Sequence, residues 1–154
     1  MTGVRLDEAA YQKADLEAGL ESTVALLYPE LGNRISVVKE YGEIPEILCY
    51  PAELNQVFMN LLSNAIQAIE EEGIIHIETF TEAGSVVIRI SDTVRGIPPE
   101  YLKRIFDPGF KASGVGTGLG LSISYNIMQK HWGEIEVESV VDKGSTFMLR
   151  VPAD

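Results

Sequence analysis

Apolar residues recur along the chain with two periods, and the switches between those periods divide it into elements. Leu16, Leu20, Val24 and Leu27 repeat at helical spacing behind Asp15, a good helix cap. A helix is therefore expected from Asp15 to about Tyr28, with Pro29 and Gly32 ending it. Residues 35–41 read as a strand. Behind Pro51, the positions Leu54, Val57, Phe58, Leu61, Leu62, Ala65, Ile66 and Ile69 form one apolar stripe. That stripe predicts a helix over residues 52–71, with Gly73 beyond its end. Residues 74–81 and 85–92 alternate as paired strands around the turn Glu82-Ala83-Gly84. Residues 122–130 read as a helix, and residues 134–140 and 145–151 as a last hairpin around Asp142-Lys143-Gly144. Residues 4–6 fit a short edge strand. Residues 93–120 are irregular, with Pro98, Pro99, Pro108 and six glycines. A loop that long inside a compact domain is usually functional. The fold class that follows is an α+β two-layer sandwich, a mixed, mostly antiparallel sheet with about three helices on one face.

Composition narrows the picture. With 154 residues, 45% of them apolar, the chain fits a single domain over residues 1–154 with a real core. No apolar run approaches the roughly 18–20 residues of a membrane helix, and no signal segment opens the chain. The single cysteine, Cys49, excludes an internal disulfide and fits a reducing, cytoplasmic compartment; its apolar setting predicts burial. A net charge of −11 argues against nucleic acid or an anionic membrane surface as a partner.

The irregular stretch ends in Gly114-Val115-Gly116-Thr117-Gly118-Leu119-Gly120-Leu121, four glycines in seven positions running into a helix. Such a run is either a flexible loop or a cradle of backbone N–H groups at a helix N-terminus, which suits phosphate. It matches neither the P-loop nor the dinucleotide pattern. A polyanion on an acidic protein needs a cation, usually Mg²⁺. Oxygen ligands for one are available. Asn60 and Asn64 stack one turn apart on the long helix, away from its apolar stripe, with Gln56 and Gln67 a turn to either side. They form either a solvated polar face or a pair of amides aimed at a hydrated metal and phosphates. Asp92 ends a strand, where it either starts a turn or accepts a hydrogen bond from an exocyclic amine such as that of adenine.

Four blocks, in order, resemble the nucleotide-binding boxes of the sensor histidine kinase catalytic domain, most nearly of the nitrogen-regulator type. They are Leu54 through Ala68 with its Asn-Ala-Ile-Gln-Ala wording, Asp92-Thr93-Val94-Arg95-Gly96-Ile97-Pro98, Ile105-Phe106-Asp107-Pro108-Gly109-Phe110, and Gly116 through Leu121. The resemblance implies the Bergerat-type ATP-binding fold of gyrase-type topoisomerases, ninety-kilodalton heat-shock chaperones and MutL proteins. It implies ATP and Mg²⁺ as cofactors. Asn64 is then the metal ligand, and Asn60 sits by the triphosphate. Asp92 receives the adenine amine, helped by Thr146 through a water, while Gly96 and Ile97 meet the base. Gln67, Gly116, Thr117, Gly118, Leu119, Gly120 and Leu121 complete the binding set, the glycine block closing over the phosphates as the end of a lid over residues 99–117. Related hydrolases carry a glutamate where Asn60 stands; an amide cannot act as a general base, so ATP is held for a better nucleophile. In the family that nucleophile is a histidine of a dimerisation domain, and a response regulator acts downstream.

The chain departs from the family at four places. His76 and His131 lack an acceptor's context and read as structural, His131 as a charge at a helix end, so the dimerisation and phosphoacceptor domain is expected to lie elsewhere. Val94 stands where the family has a glycine, and a β-branched residue resists positive φ there. The lid is short, with Lys111 the candidate for a catalytic lysine at the γ-phosphate. Trp132 replaces a glycine and is expected to pack. Two alternatives stand beside the kinase: a degenerate nucleotide-binding module without transfer, and a serine kinase of the anti-sigma type.

Overall fold

The computed structural model describes residues 11–93, 99–107 and 118–153, with the backbone alone at residues 118–120. The elements are β1 (Gln12–Ala14), α1 (Leu16–Leu26), α2 (Tyr28–Leu31), β2 (Ile35–Tyr41), β3 (Ile47–Cys49) and α3 (Pro51–Ala68). They continue as β4 (Gly73–Glu82), β5 (Ser85–Asp92), α4 (Pro99–Leu102), α5 (Gly118–Lys130), β6 (Glu134–Val140) and β7 (Gly144–Pro152). Five strands form one sheet in the order β2-β4-β5-β7-β6, parallel only between β2 and β4. β1 and β3 make a separate antiparallel pair.

Alternation divides the sheet cleanly. Ile75 and Ile77 of β4, Val86, Ile88 and Ile90 of β5, and Phe147, Leu149 and Val151 of β7 are buried on the face covered by the helices. Against them lie Leu16, Leu20 and Val24 of α1, the stripe Leu54, Val57, Phe58, Leu61, Leu62, Ala65 and Ile66 of α3, and Leu121, Ile127 and Met128 of α5. Cys49 is fully buried in the same core, and burial pushes its thiol up to about 11. Asp15 accepts from the N–H groups of Glu17 and Ala18, as an N-cap does.

The expected architecture is present, and the boundaries differ for physical reasons. Pro29 does not end a helix; it sits in the first turn of α2, where its missing N–H costs nothing, and Gly32 at φ +56° ends that element. α3 stops at Ala68, not Glu71. Ile69 turns into the core and its carbonyl accepts from Arg34 at 2.8 Å, while three glutamates in a row would sit badly at the negative end of the helix. α5 starts at Gly118, four residues earlier than its apolar pattern, so Gly118 and Gly120 belong to its first turn. The irregular stretch holds a helical turn, α4, with Ile105 fully buried just after it. β1 and β3, three residues each, carry too little pattern to announce themselves. The expected strand over residues 4–6 lies outside the described residues.

Two side chains correct their reading. Trp132 does not pack: it is 79% exposed and holds φ +55° just past the end of α5. That is the left-handed conformation usual after a helix, so the glycine of the family pattern matches the backbone better than this residue does. His131 is structural, as expected, but not as a charge at the helix end. It is buried, Nδ1 bonds the Ile127 carbonyl at 2.8 Å, and Nε2 accepts from the Tyr50 N–H at 3.0 Å. Both bonds are made by the neutral ring protonated on Nδ1.

Candidate functional site

α3 and α5 build the site by running antiparallel. At one end, Lys130 of α5 pairs with Glu53 of α3 at 2.8 Å, and His131 bonds the backbone of Tyr50, the N-cap of α3. Two turns along, Asn60 Nδ2 donates to Ser124 Oγ at 3.2 Å. One turn further along α3 stands Asn64, and one turn back along α5 stands Gly120. The antiparallel course therefore sets the asparagine pair beside the N-terminal turn of α5. Its first N–H groups have no partner within the helix and carry its positive dipole end.

Asn60 and Asn64 are half-buried, on the flank of α3 that turns toward α5. They are not part of a solvated face; Gln56 and Gln67 are the exposed residues of that group. Asn64 Nδ2 is shut off from water and makes no hydrogen bond among the described residues. A buried amide end without a partner costs about 1–3 kcal/mol unless a ligand meets it. A half-turn of the amide presents its oxygen instead, so the group fits a cation or a phosphate oxygen equally well. Asn60 differs: its Nδ2 is engaged by Ser124, a fully buried hydroxyl.

Asp92 occupies the last position of β5, the strand on which α3 rests, and only 9% of it is exposed. Parity explains its direction. Val86, Ile88 and Ile90 face the helices, so Asp92 does too, opposite Ile75 of β4. Its backbone is fixed from the other side by Gly144 at φ +122°, where a Cβ would lie 2.0 Å from the Asp92 carbonyl oxygen. The same parity separates Thr146 from this group. Thr146 pairs with Ser91 and bonds its hydroxyl at 3.0 Å on the uncovered face of the sheet. Ser145, one residue earlier, is buried on the face of Asp92 and bonds Ser139 at 2.8 Å. Sequence reasoning passed over Ser145, although Phe147, Leu149 and Val151 set the phase that reveals it. It also passed over Ser124, for which an apolar helix offered no signal.

Leu121 is fully buried at the foot of α5, and Gly118, Leu119 and Gly120 lie in its first turn. Lys111, Gly96, Ile97, Gly116, Thr117 and Val94 lie outside the described residues. A groove of about 400 Å³ lies elsewhere, lined by Glu136, Glu138, Thr146 and Met148; its two carboxylates make it a poor host for a triphosphate.

The model of the histidine kinase-, DNA gyrase B- and HSP90-like ATPases matches residues 49–154, which include both asparagines, Asp92 and α5. Among curated proteins, the sensor histidine kinase ZraS of Escherichia coli (strain K12) is 35% identical over 153 residues, 98% of this chain and 33% of that protein. The chain thus spans about a third of that relative's length. Among solved structures, the catalytic domain of histidine kinase ThkA superposes with a TM-score of 0.84 at 27% identity, covering 93% of this chain and 95% of that one. A second structure, ThkA in complex with response regulator protein TrrA, gives a TM-score of 0.80 at 25% identity, over 94% of this chain and 42% of that one. The α+β fold, the mostly antiparallel five-stranded sheet and the helices on one face are those of the ThkA domain. The chain belongs to the histidine kinase-, DNA gyrase B- and HSP90-like ATPase family, and within it to the ATP-binding catalytic domains of sensor histidine kinases.

Proposed function

We propose that the chain binds ATP with Mg²⁺ between α3, the N-terminus of α5 and the end of β5, and that it transfers the γ-phosphate to a histidine on a dimerisation domain of its parent protein. The observation that carries this reading is the half-buried asparagine pair beside the glycine-opened start of α5, with the Asp92 carboxylate buried on the same side of the sheet. Asn64, whose amide has an open end, would hold Mg²⁺. The ion would neutralise charge on a triphosphate that this acidic chain otherwise repels. Asp92 would accept from the adenine amine, with Ser145 in place of Thr146 as the neighbouring hydroxyl. The backbone N–H groups of Gly118 to Gly120 would meet the phosphates. Lys111 is proposed at the γ-phosphate from its place in the sequence.

Asn60 decides what happens next. Its amide cannot take a proton from water, so the site holds ATP until a stronger nucleophile arrives. Neither histidine of this chain can be that nucleophile: His131 is buried with both ring nitrogens engaged, and His76 stands on the sheet face turned away from α3 and α5. The acceptor would come from the parent's dimerisation domain, and the phosphoryl group would pass on to a response regulator, the kind of partner seen with ThkA. Among the described residues no helix is long and apolar enough to cross a membrane. A cytoplasmic setting is proposed for this domain whether or not its parent is anchored.

The test mixes the domain with γ-labelled ATP, Mg²⁺ and a separately made dimerisation domain carrying its histidine. Acid-labile, base-stable label on that domain is expected. Binding without transfer would instead mark a degenerate module, and acid-stable label a hydroxyl acceptor.

A further inference from the structure

The uncovered face of the sheet carries a second group of metal-ligating side chains. His76 and Glu78 are two residues apart on β4 and so share that face. Glu40 of β2 stands directly opposite Glu78 in the parallel register. One ligand atom from each of Glu40, His76 and Glu78 lies within 4.8 Å of the others. His76 Nε2 faces the Glu40 carboxylate, has no contact with water and makes no well-aligned hydrogen bond among the described residues. That imidazole separates the group from a merely acidic patch: it adds a borderline-soft nitrogen donor, buried at its tip, between two carboxylates.

We infer that Glu40, His76 and Glu78 form a binding site for a divalent transition metal of the Zn²⁺ type, apart from the nucleotide site. The donor set selects the metal class. Mg²⁺ prefers oxygen donors alone, whereas one imidazole with two carboxylates suits Zn²⁺ and its neighbours. Donor atoms around a tetrahedral ion sit roughly 3.4 Å apart, so the close His76–Glu40 contact must open and the Glu78 oxygen must approach to seat one. Rotation of Glu40, which is exposed, can open its contact with His76 without shifting either strand. Arg89 holds one oxygen of Glu78 at 3.0 Å and leaves the second for the ion. Three protein donors leave a fourth position to water, as in an open zinc site. The site bridges β4 to β2, the edge strand of the sheet, so an ion there would tie down that edge.

Zn²⁺ is titrated calorimetrically into the chain without nucleotide, with Mg²⁺ as the comparison cation, in the natural chain and in His76→Gln and Glu40→Gln. Both substitutions lie on the open face, and circular dichroism verifies the fold. The expected result is about one equivalent of Zn²⁺, at least about tenfold weaker in each variant, with a Zn²⁺-dependent rise in Tm that is larger in the natural chain than in either variant. Absence of binding by the natural chain, equal affinity in either variant, or equal binding of Mg²⁺ overturns the site. None of these readouts depends on ATP, so the nucleotide site and this one fail separately.

Discussion

At the residue scale, the account rests on a few polar atoms placed where water does not reach them. Asp92 is the clearest: a carboxylate at a strand end, buried, on the face the helices cover. Changing Asp92→Asn keeps the shape but adds a donor where only acceptors serve the adenine amine. ATP affinity should fall by roughly tenfold to a hundredfold, the cost of about 1–3 kcal/mol for an unmet buried hydrogen bond, with unfolding by urea little changed. Val94 makes the opposite prediction from sequence alone. The family pattern has a glycine at its position, and a β-branched residue that resists positive φ there would weaken nucleotide binding by about 1 kcal/mol. Val94→Gly should therefore tighten nucleotide binding measured by calorimetry, and no tightening would remove Val94 from the site.

At the scale of elements, the long stripe of α3 and the alternating strands were legible because each repeats its signal over many residues. Seven of the apolar positions on α3 could be assigned to the core from spacing alone, and all are buried. The asparagine pair was legible as an anomaly of composition within that helix. What escaped depends on contacts that spacing does not encode. β1 and β3 are too short for a period, and the true start of α5 is hidden because its first turn is built of glycines. That Ser145, not Thr146, shares the face of Asp92 was readable from strand parity.

Two further predictions belong to elements. Gly144→Ala should cost about 3 kcal/mol in urea unfolding, because the added Cβ meets the Asp92 backbone at an unfavourable φ, and it should weaken nucleotide binding through that strand end. The link between α1 and β2 predicts a pH dependence. Glu21 is held below its ordinary 4.5, chiefly by the Tyr41 hydroxyl donating at 2.7 Å and then by Lys39. A depressed carboxylate stabilises the fold above its unfolded value and loses that contribution as pH falls through the folded one. The stability gap between the natural chain and Tyr41→Phe should then be largest near neutrality, no more than about 1 kcal/mol for so exposed a pair, and should narrow below pH 4.5.

At the scale of the whole molecule, the two faces of one sheet carry the two proposed sites. The covered face carries the core and, at the end of β5, the buried Asp92 proposed to meet the nucleotide. The uncovered face carries charged rows and the Glu40–His76–Glu78 group. The central claim is a location: nucleotide lies between α3, the start of α5 and Asp92. A nitrogen–proton correlation NMR titration with a non-hydrolysable ATP analogue and Mg²⁺ tests it directly. The side-chain amides of Asn60 and Asn64 and the backbone amides of Asp92, Gly118 and Gly120 should move first and furthest. Shifts centred instead on Glu136, Thr146 and Met148, with the two asparagine amides unmoved, would contradict it.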